Sequence, residues 1–136
     1  MQVVMFDRQS IFIHGMRISL QENIPGIDVY AVSQADDLWR QFLQHPDALL
    51  ILDGGMDPGF CQWLLQEKFQ QFPESKCIII VNEYNQAWLS NMMAFNVQAI
   101  IPRDASVEVF VQTIKSVMRG LICLPGDWRM EYEQTI

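Results

Sequence analysis

Five charged or polar residues stand where four apolar runs of this sequence end. They are Asp7, Arg8, Asp53, Asn82 and Arg103. If the runs are parallel strands of one sheet, their carboxyl ends meet at one edge, which is where ligands bind in open α/β sheets. Two carboxylates, an amide and two guanidinium groups would then share one crevice. The alternative is that these residues only begin loops, as polar residues do in any α/β protein.

The strongest of these runs is residues 49–52, an unbroken apolar stretch that ends at Asp53. Runs that are apolar on both faces are typical of central strands in a parallel sheet covered by helices. Gly54 and Gly55 follow, and the spacing of a phosphate-binding glycine motif is absent. We therefore expect these glycines to form a sharp turn with positive φ, with Asp53 at the carboxyl edge of the sheet.

Five apolar runs alternate with five helical patterns along the chain. The predicted strands are residues 3–6, 27–32, 48–52, 77–81 and 97–101, and the predicted helices are residues 10–20, 34–44, 60–72, 86–95 and 106–119. The alternating pattern of residues 27–32 indicates a strand at the edge of the sheet. The alternation of strands and helices predicts a three-layer α/β fold, with helices on both faces of a doubly wound, five-stranded parallel sheet.

The ends and buried faces of these helices are also predicted. Ser10 and Ser33 are expected to begin the first and second helices. Helical spacing places Leu43, Trp63 and Phe69 on the buried faces of the second and third helices.

Composition limits the kind of protein. A chain of 136 residues with 50% hydrophobic and 18% charged residues predicts one packed domain. Its net charge of -7 repels the phosphate backbone, so the domain itself is a poor candidate for binding nucleic acids. Cys61, Cys77 and Cys123 lack paired spacing, which is typical of thiols in a reducing compartment. No run resembles a signal peptide or a membrane span, so a cytoplasmic protein without membrane contact is expected.

The order of these elements resembles the receiver domain of two-component response regulators, and most closely the NarL/FixJ (LuxR-type) transcription regulators. The resemblance covers residues 3 to about 125. Residues 7–16 are similar to the group's sequence after its first strand, and residues 103–106, Arg-Asp-Ala-Ser, are similar to its Lys-Asp-Ala-Ser. The resemblance implies the strand order 2-1-3-4-5 and a regulatory role that is not enzymatic.

The resemblance also assigns roles to the residues at the strand ends. It places the phosphoacceptor at Asp53, the acidic pair at Asp7 and Arg8, and the switch positions at Asn82, Ile100 and Arg103. Receivers of this family bind Mg²⁺ through the acidic pair, the phosphoacceptor and a backbone carbonyl.

This sequence departs from the pattern at the positions that the reaction needs. Arg8 replaces a carboxylate with a guanidinium, which donates hydrogen bonds but cannot ligate Mg²⁺. Arg103 replaces a lysine, Asn82 lacks a hydroxyl, and Ile100 has no polar edge. We therefore predict a pseudo-receiver without a metal or another cofactor. In it, Arg8 and Arg103 form salt bridges with the acidic pocket and fix its conformation.

Three alternatives stay open. The chain could still be a receiver that is phosphorylated on Asp53, or a flavodoxin-like domain that binds a small ligand in the same crevice. A small ligand such as a nucleotide second messenger could also bind the helical surface and drive dimerisation. A catalytic role for Cys61 is disfavoured relative to packing, because neither histidine has an evident reason to lie near it.

Some helices carry more apolar residues than one buried face requires. This excess indicates a contact surface, although an ordinary deep core would also explain it. The interface candidates are Ile13, Trp88, Met92 and Val109. The resemblance implies pairing through the first and fifth helices, or through the fourth helix, fifth strand and fifth helix. We expect a homodimer, or a heterodimer with another regulator. Residues 1–124 form the receiver-like domain and 125–136 a linker or arm, with DNA bound only through a helix-turn-helix domain outside this chain.

Overall fold

The computed structural model describes residues 1–83 and 85–123. The strands are β1 (Gln2–Phe6), β2 (Asp28–Val32), β3 (Leu49–Asp53), β4 (Cys77–Val81) and β5 (Val97–Pro102). The helices are α1 (Ser10–Asn23), α2 (Ala35–Gln44), α3 (Pro58–Gln71), α4 (Gln86–Met92) and α5 (Val107–Met118), and a 3₁₀ turn (Met93–Phe95) follows α4. The predicted linker at residues 125–136 lies outside the described residues.

The five strands form one parallel sheet in the order β2-β1-β3-β4-β5. One buried cluster joins α1 and α5 to one face of the sheet, and a second joins α2, α3 and α4 to the other. Every residue of β3 and β4 is buried, because each strand is covered on both faces. The predicted three-layer fold, its strand order and the edge position of β2 are confirmed.

Two predicted helix starts are wrong by a residue. Gln9, not Ser10, is the N-cap of α1, and Gln34, not Ser33, is the N-cap of α2; neither makes a side-chain capping bond. At α1 the carboxylate of Asp7 accepts a hydrogen bond from the Gln9 backbone at 2.8 Å, which turns the chain into the helix one residue earlier. The remaining helices carry side-chain caps, from Asp57, Asn85 and Ser106.

Three side chains predicted to be buried lie on the surface instead. Leu43 is 72% exposed, Trp63 45% and Phe69 42%. The face of α3 toward the sheet is filled by other residues, namely Cys61, Leu64, Leu65 and Lys68. Trp63 therefore packs sideways, with its ring 6.1 Å from that of Trp39 on α2. The helical spacing was right, but α3 has apolar residues on more than one face and spacing alone does not select between them.

The chain continues along the outer edge of β5 after α5. Cys123 forms a parallel bridge with Ala99, and its backbone nitrogen donates to the carbonyl of Gln98 at 2.8 Å. Cys61 and Cys77 are buried and Cys123 is partly exposed, and all three are free thiols. No helix in residues 1–83 and 85–123 is long and apolar enough to cross a membrane.

Lys68 on α3 is fully buried among apolar side chains. Its ammonium group donates to the carbonyl of Ser75, which also accepts a hydrogen bond from Asn96 at 3.2 Å. Burial lowers the pKa of Lys68 from its ordinary value, and the neighbouring Cys77 opposes this shift only in part. The folded state therefore disfavours the charged form of this lysine.

We expect the substitution Lys68→Met to stabilise the domain by about 1–3 kcal/mol, since a thioether removes a buried charge at similar volume. The Ser75 carbonyl keeps Asn96 as its donor, so no acceptor is left unpaired. Because the lysine pKa is lower in the folded state, the cost of its charge is greatest at neutral pH. The advantage of the variant should shrink as the pH rises towards 10.5, the ordinary lysine pKa.

Urea unfolding of both proteins between pH 7 and pH 10 measures this difference. Arg40→Met, which removes an exposed cation from α2, is the control. A variant at Lys68 that is less stable than the wild type at pH 7 would show that the buried ammonium is a net stabilising group.

Candidate functional site

The five polar residues at the strand ends lie together at the carboxyl edge of the sheet. Asp7 and Arg8 follow β1, Asp53 ends β3, Asn82 follows β4 and Arg103 follows β5. Hydrogen bonds and ion pairs connect all five, so the predicted crevice exists. Ile100 is not part of this cluster. It is 4% exposed and packs into the core between the sheet and α2, α3 and α4.

Arg8 forms an ion pair with Asp53, 45 residues away in sequence. Its Nε donates to Oδ2 of Asp53 at 2.8 Å, and its backbone nitrogen reaches the same oxygen at 3.4 Å. The Arg8 side chain is 53% exposed, whereas that of Asp53 is fully buried. The guanidinium therefore lies between the carboxylate and solvent.

Arg103 connects the remaining members of the cluster. Its Nη1 donates to Asp7 at 3.0 Å, its Nη2 to Oδ1 of Asp53 at 3.0 Å, and its Nε to Oδ1 of Asn82 at 3.2 Å. The guanidinium carbon also lies 4.6 Å from the centre of the Phe12 ring, within reach of a cation–π interaction. With 13% of its side chain exposed, Arg103 is mostly buried and connects the ends of β1, β3 and β4.

Both oxygens of Asp53 are occupied by donors. Oδ1 accepts from Arg103 and from the backbone of Gly55 at 2.8 Å, and Oδ2 accepts from Arg8. Burial alone would raise the pKa of Asp53, but the hydrogen bonds from the Arg8 side chain and the Gly55 backbone outweigh it. The pKa of Asp53 therefore lies below its ordinary value, and the carboxylate is ionised.

The ionised form of Asp7 is less favoured than that of Asp53. Burial raises the pKa of the Asp7 carboxyl above its ordinary value, and the nearby charge of Asp53 acts in the same direction. The hydrogen bond from the Gln9 backbone and the charge of Arg103 oppose this rise without cancelling it. Arg103 is thus the cation that allows two carboxylates to remain buried side by side.

The magnesium ion that the resemblance implies does not fit these residues. Mg²⁺ needs several oxygen ligands in near-octahedral geometry, and both carboxylates here already face guanidinium groups. Within residues 1–83 and 85–123, no group of three or more histidine, cysteine or acidic side chains could hold a metal ion. Two carboxylates and two guanidinium groups give the cluster no net charge, so there is little attraction for a divalent cation.

The two glycines after Asp53 have a different purpose from the one predicted. The glycines with positive φ among the described residues are Gly26 and Gly120, so Gly54 and Gly55 do not need that conformation. A Cβ on Gly54 would lie 2.7 Å from Ile79 and 2.8 Å from the carbonyl of Ile80. A Cβ on Gly55 would lie 2.7 Å from Nη2 of Arg8. Close approach to the Ile80 backbone, not backbone conformation, requires glycine at position 54, whereas at position 55 an added Cβ would displace the end of the half-exposed Arg8 side chain.

The interface candidates lie in different environments. Met92, the last residue of α4, is fully buried, because the side of the helix that carries it faces the sheet. The prediction of a surface position for Met92 is therefore wrong. Trp88 is partly buried and its ring would lie 3.4 Å from a Cβ on Gly54. Ile13 is half-buried against the core between the sheet, α1 and α5. Val109 is 47% exposed on α5 and remains available for contact.

Two residues near the cluster were not predicted as parts of it. Phe12 supports Arg103 from α1, and only its helical position next to Asp7 and Arg8 could have indicated this. Cys61 lies beneath Asp53, with its thiol 3.7 Å from the Asp53 carbonyl. Burial raises the pKa of Cys61 to about 12, so the thiol is protonated and packs as an apolar side chain, as expected.

Two curated proteins are similar to this chain in sequence. The chain is 52% identical over 136 residues to the "Putative HTH-type transcriptional regulator YhjB" of Escherichia coli strain K12, spanning all of this chain and 68% of that protein. It is 23% identical over 123 residues to the oxygen regulatory protein NreC of Staphylococcus carnosus, spanning 88% of this chain and 56% of NreC. No family model matches the chain.

Solved structures agree with the fold. The receiver domain of RcsB from Salmonella enterica superposes with a TM-score of 0.78 at 22% identity, covering 98% of both chains. A LuxR family DNA-binding response regulator from Silicibacter pomeroyi gives a TM-score of 0.77 at 19% identity, covering 93% of this chain and 98% of the other. The fold is therefore that of a response regulator receiver domain. The chain belongs to the same family as the putative HTH-type transcriptional regulator YhjB. The receiver fold that the resemblance implied is confirmed, and it is shared with a LuxR family response regulator.

Proposed function

We propose that the chain is a pseudo-receiver of a LuxR-type transcription regulator, which acts without Mg²⁺-dependent phosphotransfer to Asp53. The ion pair between Arg8 and Asp53, at 2.8 Å, carries this proposal. The guanidinium occupies the side of the carboxylate that a metal ion and a phosphoryl donor would need to approach.

The hydrogen bonds of Asp53 support the same conclusion. A carboxylate attacks a phosphorus atom through an oxygen lone pair, and each oxygen of Asp53 already accepts hydrogen bonds from at least one guanidinium. Breaking such charge-assisted bonds in a buried site costs more than breaking neutral ones. The low pKa of Asp53 keeps it ionised but also reflects how firmly its charge is neutralised.

Intact-mass spectrometry with acetyl phosphate, with and without Mg²⁺, tests the proposal. We expect no phosphoryl adduct on the folded wild-type domain in either condition. Asp53→Ala serves as the control for the site of any adduct, and a typical receiver domain serves as the positive control for the reagent. A Mg²⁺-dependent adduct that is absent from Asp53→Ala would show that the chain is a phosphoaccepting receiver despite Arg8.

The output of the protein is proposed from its relative. YhjB is named an HTH-type regulator and extends beyond the region matched by this chain. We propose that residues 1–124 are the regulatory domain, that residues 125–136 lead to a helix-turn-helix domain, and that this domain binds DNA. The net charge of -7 supports the assignment of DNA binding to a separate domain. Three free thiols support a cytoplasmic location.

Regulation through contact with a second protein completes the proposal. With the pocket closed by ion pairs, its conformation is fixed, so dimerisation or partner binding takes the place of phosphorylation. Val109 and Val107, each 47% exposed on α5, and Ile18, 43% exposed on α1, offer apolar contact area for a homodimer or a heterodimer with another regulator. Analytical ultracentrifugation of the wild type and Val109→Asp should show a loss of association in the variant.

A further inference from the structure

An apolar surface lies between α2 and α3, and it consists of Trp39, Leu43, Phe60 and Trp63. Trp63 is 45% exposed, and Trp39 and Phe60 are partly buried against the core. The ring of Trp63 lies 6.1 Å from that of Trp39 and 5.9 Å from that of Phe60. Leu43, which is 72% exposed, follows Trp39 by one helical turn and lies on the same side of α2. We call these four residues the α2–α3 surface.

Buried rings hold the aromatic side chains of this surface in place. Trp39 stacks on Phe72 with the ring centres 6.3 Å apart, and Phe72 stacks on Phe42 at 5.3 Å. Phe60 lies 5.8 Å from Phe6 at the end of β1. Side chains that the core already fixes lose little rotamer freedom when a partner covers them. Tryptophan is also enriched among the residues that contribute most to binding at protein interfaces.

The core of the domain does not need the exposed part of this surface. The sheet-facing positions of α2 and α3 are filled by other side chains, which are Leu38 and Phe42 on α2 and Cys61, Leu64, Leu65 and Lys68 on α3. Leu43 and Trp63 therefore add apolar area on the solvent side of the two helices. Contiguous apolar area of this kind marks interaction sites on soluble proteins.

Three carboxylates lie around the α2–α3 surface. Asp36 precedes Trp39 by one helical turn, and Glu67 follows Trp63 by one turn. Asp57 is the N-cap of α3, at the end of the helix that carries Phe60. Asp36 and Asp57 are exposed and Glu67 is partly exposed, so all three can meet the charges of a partner.

The cations of these two helices do not balance the three carboxylates. Lys68 is fully buried, and Arg40 forms an ion pair with Asp37 at 2.8 Å. Two copies of this surface would bring like charges together, in a chain whose net charge is already -7. The same charge disfavours nucleic acids and anionic membranes. A basic protein segment is the partner that complements both the apolar residues and the acidic border.

We propose that the α2–α3 surface binds a basic amphipathic helix of a partner protein. Aliphatic side chains at helical spacing on the partner contact Leu43 and Trp63, and its lysine and arginine side chains face the three carboxylates. The surface lies on the face of the sheet opposite α1 and α5, so this partner can bind while α5 contacts a second subunit. The inference goes beyond the proposed function and does not depend on whether Asp53 accepts a phosphoryl group.

Two synthetic helical peptides with the same leucine face test the proposal, one with lysines and one with glutamates on its polar face. Fluorescence anisotropy of the labelled peptides measures their binding to the full chain, and the NMR signals of the Trp39 and Trp63 indole N–H groups locate it. We expect saturable binding of the lysine peptide, with shifts of both indole signals. The glutamate peptide should bind at least about tenfold more weakly, because its charges repel the acidic border.

Matched variants show whether the peptide occupies this surface. Leu43→Ser and Trp63→Ser should each weaken binding of the lysine peptide by about tenfold. Leu43 is 72% exposed, so Leu43→Ser remains informative if Trp63→Ser folds poorly. Val109→Ser removes an exposed apolar side chain from α5 and should bind like the wild type. Asp36→Asn should weaken binding about threefold, whereas Glu108→Gln, which removes an acid from the first turn of α5, should not.

Three results would overturn the inference. They are equal binding of the two peptides or binding of neither, unchanged affinity in both Leu43→Ser and Trp63→Ser, and an equal loss of affinity in Val109→Ser. Sedimentation of the chain alone examines the other occupant. Self-association that Trp63→Ser abolishes and Val109→Asp leaves intact would place a second subunit on this surface instead. None of these results concerns phosphotransfer, so they are distinguishable from a failure of the proposed function.

Discussion

Asp53→Ala is expected to destabilise the folded domain by about 3 kcal/mol. The substitution removes the counter-ion of Arg8 and one of the two counter-ions of Arg103, and loss of one partner from a buried ion pair typically costs about 3–5 kcal/mol. The lower end applies because Arg8 is half-exposed and can turn toward solvent, whereas Arg103 keeps Asp7. Denaturant unfolding measures the difference.

The sign of this effect distinguishes a pseudo-receiver from a working one. In a pocket of several carboxylates without bound metal, removal of one relieves repulsion between like charges and stabilises the protein. Here the cluster has no net charge, and removal of Asp53 leaves one uncompensated positive charge. Asp37→Ala, which breaks the exposed ion pair with Arg40, is the matched control and should cost no more than about 1 kcal/mol. An Asp53→Ala variant more stable than the wild type would contradict the ion-pair network.

The pH dependence gives an independent check. Because the pKa of Asp53 is lower in the folded state than its ordinary value of 3.8, the stability from its ionised form is fully present above pH 3.8. That contribution is lost as the pH falls through the folded-state pKa. The stability difference between wild type and Asp53→Asn should therefore be constant near neutral pH and shrink below pH 3.8. Because the charge of Asp53 is one cause of the raised pKa of Asp7, the substitution also moves the pKa of Asp7 back toward its ordinary value.

Arg8→Asp is expected to create a Mg²⁺ site where the wild type has none. The variant replaces the guanidinium with a third carboxylate, so the cluster changes from no net charge to two negative charges. Oxygen ligands from Asp7, Asp53 and the new carboxylate then provide the donor set that Mg²⁺ prefers. We expect the variant to be less stable than the wild type without metal and to be stabilised by Mg²⁺.

The size of the metal effect follows from linkage. A ligand at 100 times its dissociation constant stabilises the folded state by about 2.7 kcal/mol, which a thermal melt resolves easily. Arg8→Gln, which removes the guanidinium without adding a carboxylate, is the control and should not respond to Mg²⁺. If Arg8→Asp also fails to respond, then the charge of Arg8 is not what prevents metal binding, and Arg103 becomes the residue to change.

The two substitutions examine the same ion pair from opposite sides. Asp53→Ala measures what the carboxylate contributes to stability, and Arg8→Asp measures what the guanidinium prevents. A destabilised Asp53→Ala together with a Mg²⁺-responsive Arg8→Asp would mean that Arg8 has taken the structural place of a metal ion.

Much of the fold could be predicted from the sequence because its signals are local. Apolar runs such as residues 49–52 alternate with helical patterns, and this periodicity determines strands, helices and a parallel sheet. The convergence of Asp7, Asp53 and Arg103 follows from the topology, since the carboxyl ends of parallel strands meet at one edge. The departures at Arg8 and Arg103 were likewise visible in the sequence and indicated ion pairs.

Only the tertiary structure shows which charged groups pair with each other. It also shows the reason that the glycines are needed. Arg8 pairs with Asp53 across 45 residues instead of with its neighbour Asp7, while Arg103 reaches Asp7 across 96 residues. Side-chain direction and strand order determine such distances, and neither is encoded in local spacing. The same holds for Gly55, whose missing Cβ matters because Arg8 lies against it. Periodicity predicts which helix or strand a residue belongs to. Contacts between helices and strands depend instead on how the sheet brings distant strands together.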